Sequence, residues 1–137
     1  IKVCNPYCGP CAKAHPVIEE IIESNNNIKV QILFSVTSDE NDKRNKPVKH
    51  LLAIQEKYGN VVVAKAMDYW YNSEKKKYDA FADKYPMNGE FENQNKKIED
   101  MAEWCKEIDI HFTPTFFING YQLPEIYNIR DIKYLLA

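Results

Sequence analysis

The sequence has no run of apolar residues long enough to span a bilayer, and no signal-peptide pattern. It has no excess of one charge either. The net charge is −2, so there is no basic field to argue for nucleic acid. There is no internal repeat or low-complexity tract, which excludes a repeat architecture. Four cysteines are too few for a disulfide scaffold. An initiator methionine is also missing, and Ile1-Lys2-Val3 already reads as a strand. That start is expected of a segment of a longer protein, so the missing signal does not bear on compartment.

What is present is ordinary except at one place. The length of 137 residues suits one domain, 1–137, large enough to bury a core without staples. Hydrophobic residues are 45% and charged residues 28%, as in soluble globular proteins. Three of the four cysteines, however, fall within "CNPYCGPCAKAHP", residues 4–16. That cluster permits three chemistries. Cys4, Cys8 and Cys11 have the spacing with which radical enzymes hold an iron–sulfur cluster. Adding His15 makes a four-ligand set of types that zinc accepts. Cys8-Gly9-Pro10-Cys11 alone is a redox dithiol. Against the cluster, Pro10 and the pattern after it place Cys11 on a helix. Against zinc, Cys4 falls at a strand end and His15 a turn along that helix.

Hydrophobic periodicity orders the rest. Residues 1–4 read as a buried strand. A helix starts near Gly9 or Pro10, with Ala14, Val17, Ile18, Ile21 and Ile22 as its apolar face and Pro16 as an internal kink. "IKVQILFSV", residues 28–36, is β-branched and reads as the best strand. An all-helical insertion of about residues 39–94 follows. Gly59 ends its first helix, Asn60 caps the second and Ser73 caps a third. Tyr69, Trp70, Tyr71, Tyr78 and Phe81 form its core or, alternatively, a substrate groove. A further helix carries Ile98, Met101, Ala102, Cys105 and Ile108 on one face. "TFFIN" and "YQLP" flank Gly120 as a hairpin, and residues 130–136 close as a helix. The expected fold class is therefore α/β: a four-stranded mixed sheet flanked by helices, with the helical insertion after the second strand.

With the dithiol between a strand and a helix, the chain resembles the thioredoxin superfamily. The match is carried by Cys8-Gly9-Pro10-Cys11, by Pro16 five residues further on, by "FTPTFFING" and by the β-β-α ending. The resemblance implies a thioredoxin-like fold and a cis Thr113–Pro114 bond facing the dithiol. The long insertion is similar to the DsbA-like branch. More narrowly, "VCNPYCGPCAKAHPVIEE", "KPVKHLLAI" and "FTPTFFINGYQLP" resemble the thioredoxin-like domain fused behind a bacterial vitamin K epoxide reductase membrane domain. That likeness implies protein thiol or disulfide substrates, a quinone-linked membrane domain on the same chain, and an extracytoplasmic setting. A free-standing, cytoplasmic reductase or isomerase is the alternative, and a redox-inert binding module a third. Neither cofactor nor metal is implied. One position departs from the pattern: Lys2 stands where relatives usually carry a buried acid.

The dithiol chemistry follows from position. A thiol at a helix N-terminus faces unpaired N–H groups and the positive end of the dipole. Such placement brings a thiol from about 8.5 to about 7 or below. Cys8 is thus expected to be the nucleophile and Cys11 the buried resolving thiol. Gly9 lets a substrate chain approach, Pro10 stiffens the turn, and Thr113 and Pro114 form the opposing wall. Cys4 reads first as a small core hydrophobe, with a third redox thiol as the alternative. Cys105 reads as core. His15, His50 and His111 are expected in solvent or in local hydrogen bonds, with His15 and His111 near the dithiol by sequence proximity.

Overall fold

The computed structural model describes residues 1–124 and 128–131. Its centre is the strand β1, Lys2–Cys4, every residue of which is buried. On one side β1 pairs in parallel with β2, Ile32–Phe34, with Val3 opposite Leu33. On the other it pairs antiparallel with β3, Thr115–Ile118, with Val3 opposite Thr115. The hairpin partner β4, Tyr121–Gln122, completes the order β2-β1-β3-β4. The α/β mixed sheet expected from the sequence is thus formed.

β2 is much shorter than the 28–36 run suggested. It is an edge strand, and β1 has three residues to pair with it. Propensity marks residues able to extend; the partner decides how many join the ladder. β4 likewise stops at Gln122, short of Pro124. Asn119 (φ 51°) and Gly120 (φ 85°) make the turn between β3 and β4. Two successive positive φ values match the twist of a two-residue hairpin.

The helix α1, Gly9–Ser24, carries Pro10 in its first turn and Pro16 inside. Ala14, Val17, Ile18 and Ile21 are buried and pack with Ile129, Phe116 and Ile118, whereas Ile22 is exposed. Ile22 lies 100° round from Ile21 and so leaves the buried stripe. The insertion comprises α2 (Asn45–Tyr58), α3 (Asn60–Asn72), α4 (Tyr78–Lys84) and a 3-10 turn at Glu92–Gln94, before α5, Asn95–Ile108. Gly59, at φ 87°, both ends α2 and precedes α3. Asn60 is therefore the first residue of α3 and not its cap, and its Oδ1 accepts from Gln55 Nε2 at 2.9 Å. Ser73 does not cap α4 either. It follows α3 and donates its hydroxyl to the Tyr69 carbonyl at 2.7 Å.

Trp70 and Phe81 meet edge to face, with centroids 5.4 Å apart, in the core that joins the insertion to Phe34, Cys4 and Cys11. His50, expected in solvent or in a local bond, is buried in the insertion. Its Nδ1 is 3.0 Å from the Tyr78 hydroxyl, and its Nε2 meets the Tyr85 carbonyl. On α5 only Ile98 is buried; Cys105 is half-buried and Ile108 is exposed. The closing helix expected over 130–136 lies, beyond Asp131, outside the described residues.

Candidate functional site

Cys8 precedes the first turn of α1, in extended backbone (φ −84°, ψ 123°). Its side chain is half-buried, and its thiol donates to the Thr113 carbonyl at 3.3 Å. The Thr113–Pro114 bond is cis, as the resemblance implied. Gly9 and Pro10 are exposed, and a Cβ added at Gly9 would meet nothing within 4 Å. Internal packing therefore does not require glycine there. Cys11, one turn on, is fully buried, and its Sγ accepts the Asn5 N–H at 3.4 Å. All four cysteines are free thiols.

The two dithiol sulfurs differ in how readily they ionise. Burial pushes the Cys8 thiol up, and hydrogen bonds from the Thr113 side chain and the Cys11 backbone N–H pull against it. The net direction is upward. This corrects the lowered value expected of a helix N-terminus, because desolvation outweighs the donors. Cys11 is pushed far higher, first by its interaction with the Cys4 thiol and then by burial. Cys8 is thus the more accessible and the more easily ionised of the pair.

Behind Cys11 lies a buried polar cluster. Lys2 is fully buried, its Nζ 3.3 Å from the Cys11 carbonyl oxygen and 5.7 Å from the Tyr71 ring centroid. Cys4 is also fully buried and interacts with the Cys11 thiol, with Lys2 and with the Tyr71 hydroxyl. Burial opposes ionisation of Cys4, but the Cys11 hydrogen bond and the Lys2 charge more than offset it, leaving Cys4 below its ordinary value.

The loop before Cys8 is held from the insertion. Trp70 donates Nε1–H to the Pro6 carbonyl at 2.6 Å, and the Tyr71 hydroxyl reaches the Asn5 carbonyl at 3.4 Å. Sequence reasoning gave these aromatics to the insertion core or a groove and missed this anchoring. No local pattern signals a contact between residues 6 and 70. An open groove of about 720 Å³ does flank the dithiol, but Pro10, Lys13, Val17, Thr113, Pro114 and Leu123 are among its walls, and no insertion residue lines it.

His15 is buried rather than solvated. Its Nε2 lies 2.6 Å from Asp68 Oδ1 on α3 and 3.3 Å from Glu19 Oε1. Burial, with the Lys2 charge, lowers its imidazole; burial, with Asp68 beside it, raises Glu19 to about 7. Among the described residues, the metal-type donors that converge within 4.8 Å are those of His15, Glu19 and Asp68. The zinc set of Cys4, Cys8, Cys11 and His15 is not brought together. His111 is exposed, 3.0 Å from Asp109.

The family model described as Thioredoxin matches residues 1–136. No curated protein and no solved structure matches the chain.

Proposed function

This chain belongs to the thioredoxin family, and from that premise we propose that it is a thiol–disulfide oxidoreductase acting on protein substrates through Cys8 and Cys11. One observation carries the reading. A half-exposed thiol heads a helix and faces the Thr113 carbonyl of a cis-proline loop, while a second, fully buried thiol waits one turn behind. Exchange needs that asymmetry. The Cys8 thiolate attacks a substrate disulfide, forming a mixed disulfide and expelling one substrate thiolate. Cys11 then attacks Cys8 Sγ and releases the other. The Thr113 backbone is available to pair with an extended substrate, and Pro114 brings no N–H to compete. The groove beside Pro10 and Leu123 gives such a chain an apolar wall.

Insulin reduction tests the reading. Dithiol turnover that is lost in Cys8→Ser, together with mixed disulfides trapped by Cys11→Ser, supports it. No turnover in the native protein would favour a redox-inert binding module.

The electron partner in this proposal is a vitamin K epoxide reductase-like, quinone-linked membrane domain on the same polypeptide, with this domain facing an extracytoplasmic space. The likeness of residues 3–20, 46–54 and 112–124 to such fused domains supports it. Tethering would hold that partner at an effective concentration of about millimolar. The full-length Cys11→Ser form should then trap a disulfide between Cys8 and the membrane domain. If the gene encodes no membrane segment, a free-standing reductase is the better reading. Equilibration of the dithiol with glutathione gives its direction.

A further inference from the structure

Cys11 must lose a proton to attack the mixed disulfide, yet it is fully buried, and the charged group at its back is the cation of Lys2. Lys2 and Cys4 are two apart on β1, so their side chains share one face of the sheet. That face packs on Cys11 of α1 and Tyr71 of α3, and these, with Lys2, are the titratable groups that interact with Cys4. The Lys2 ammonium, fully buried, has no carboxylate within 4 Å among the described residues; its hydrogen bond goes to the Cys11 carbonyl. His15 and Glu19 feel its charge from further away. A buried cation is costly unless a counter-charge lies beside it. Of the ionisable groups around it, Cys4 is the one on its own strand face, while burial opposes ionisation of both Cys11 and Tyr71 across from it.

Resting on the reading of Cys8 and Cys11 as the exchanging pair, we propose that Cys4 is a catalytic residue, the proton acceptor for Cys11, and that Lys2 positions it by holding its thiolate. In the resolving step the Cys11 S–H proton passes to the Cys4 sulfur. The freed Cys11 electron pair attacks Cys8 Sγ, the Cys8–substrate bond breaks, and the pair in that bond leaves on the substrate sulfur as a thiolate. Cys8–Cys11 is now a disulfide and Cys4 a thiol. In the opposite half-cycle an incoming thiolate attacks Cys8 Sγ, and Cys11 leaves as a thiolate and takes the proton back from Cys4. One proton moves to and fro inside the protein, and no further oxidant or reductant is needed. The Tyr71 hydroxyl, whose ionisation burial pushes well up, stays protonated and donates to the Asn5 carbonyl.

Stopped-flow reaction of the reduced protein with an aromatic disulfide that releases a coloured thiol separates the steps. The first release reports attack by Cys8, the second resolution by Cys11. The comparison uses native protein, Cys4→Ser and Lys2→Met from about pH 6 to about pH 10, spanning the ordinary thiol range, with near-UV circular dichroism confirming each fold. Serine keeps the shape, slightly smaller, but is a poor acceptor. Both variants should leave the first phase within about two-fold. Near neutral pH they should slow the second by about a hundredfold, the low end for a lost proton acceptor. That loss should shrink as pH rises. An unchanged second phase, or one slowed equally at every pH, would show that Cys4 only fills space. A Cys4–Cys11 disulfide in peptide maps of the oxidised native protein would also overturn the proposal, because Cys4 would then act as a nucleophile. Should Cys4→Ser not fold, Lys2→Met decides with the same outcomes. Absence of the first phase in the native protein would instead refute the exchange reading itself.

Discussion

Trp70 donates its indole N–H to the carbonyl oxygen of Pro6, 2.6 Å away and 64 residues earlier in the chain. Both residues are fully buried, so the bond cannot be replaced by water. It ties the loop that presents Cys8 to α3 of the insertion, with the Tyr7 ring resting edge-on at 5.5 Å from Trp70. The insertion thereby supports the site from beneath while the groove opens elsewhere.

Trp70→Phe keeps most of the aromatic packing and removes the donor. A buried carbonyl left unpaired costs about 1–3 kcal/mol. Denaturant unfolding should show a loss of that size, with slower reaction of Cys8. An unchanged midpoint would mean that the loop does not depend on this anchor.

Alkylation should reach Cys8 before Cys11, Cys4 or Cys105. Because burial raises the Cys8 thiol, its labelling rate should have a midpoint above the ordinary thiol value of about 8.5. A thiolate forms as pH rises, so labelling should fall steeply toward neutral pH. A midpoint near 6 would overturn this environment, and earlier labelling of Cys11 would reverse the order of attack.

Leu123 is part of the groove wall. Leu123→Asp places a carboxylate where an apolar chain would lie, and should lower kcat/KM for protein disulfides by about tenfold, in line with pocket discrimination of about 1–3 kcal/mol. Turnover of a small disulfide should stay within about two-fold. Equal losses on both substrates would mean that the change disturbs the dithiol and not a binding groove. Changes on the exposed face of α3, such as Val61→Glu, should leave client choice as it was.

His50 should stay neutral below its ordinary value of about 6.5, because burial lowers it and the Tyr85 carbonyl only partly opposes this. The unfolded chain takes up this proton near 6.5 and the folded chain at a lower pH. The stability that His50 contributes is therefore complete above about pH 6.5 and is lost as pH falls through the folded value. An NMR titration of the ring with a midpoint at or above 6.5 would contradict its burial.

Much of the fold was legible without coordinates, because local rules govern it. Pro10 at the head of α1, the helical spacing of Val17, Ile18 and Ile21, and Asn119-Gly120 in the hairpin act within a few residues, and the structure has each of them. The dithiol at a strand–helix junction, and Thr113–Pro114 opposite it, belong to the same legible part.

Element ends and buried polar partners were not legible. β2 stops where β1 offers no further partner, a fact of the neighbouring strand. His15 meets Asp68 across 53 residues, and His50 meets Tyr85 across 35. Those meetings depend on how α1 lies on α3 and α2 on α4, and periodicity reports only the face a helix turns inward.

By itself the sequence determined the order of elements, the α/β class and the place of Cys8 and Cys11 at a strand–helix junction, since each rests on spacing along the chain. Tertiary structure alone decided what surrounds that site. It buried Lys2 beside Cys4 and Cys11 and set Trp70 against Pro6. It also raised the Cys8 thiol that its helix position would have lowered. Desolvation is the physical reason: it depends on every atom packed around a group, and no local stretch of sequence encodes that.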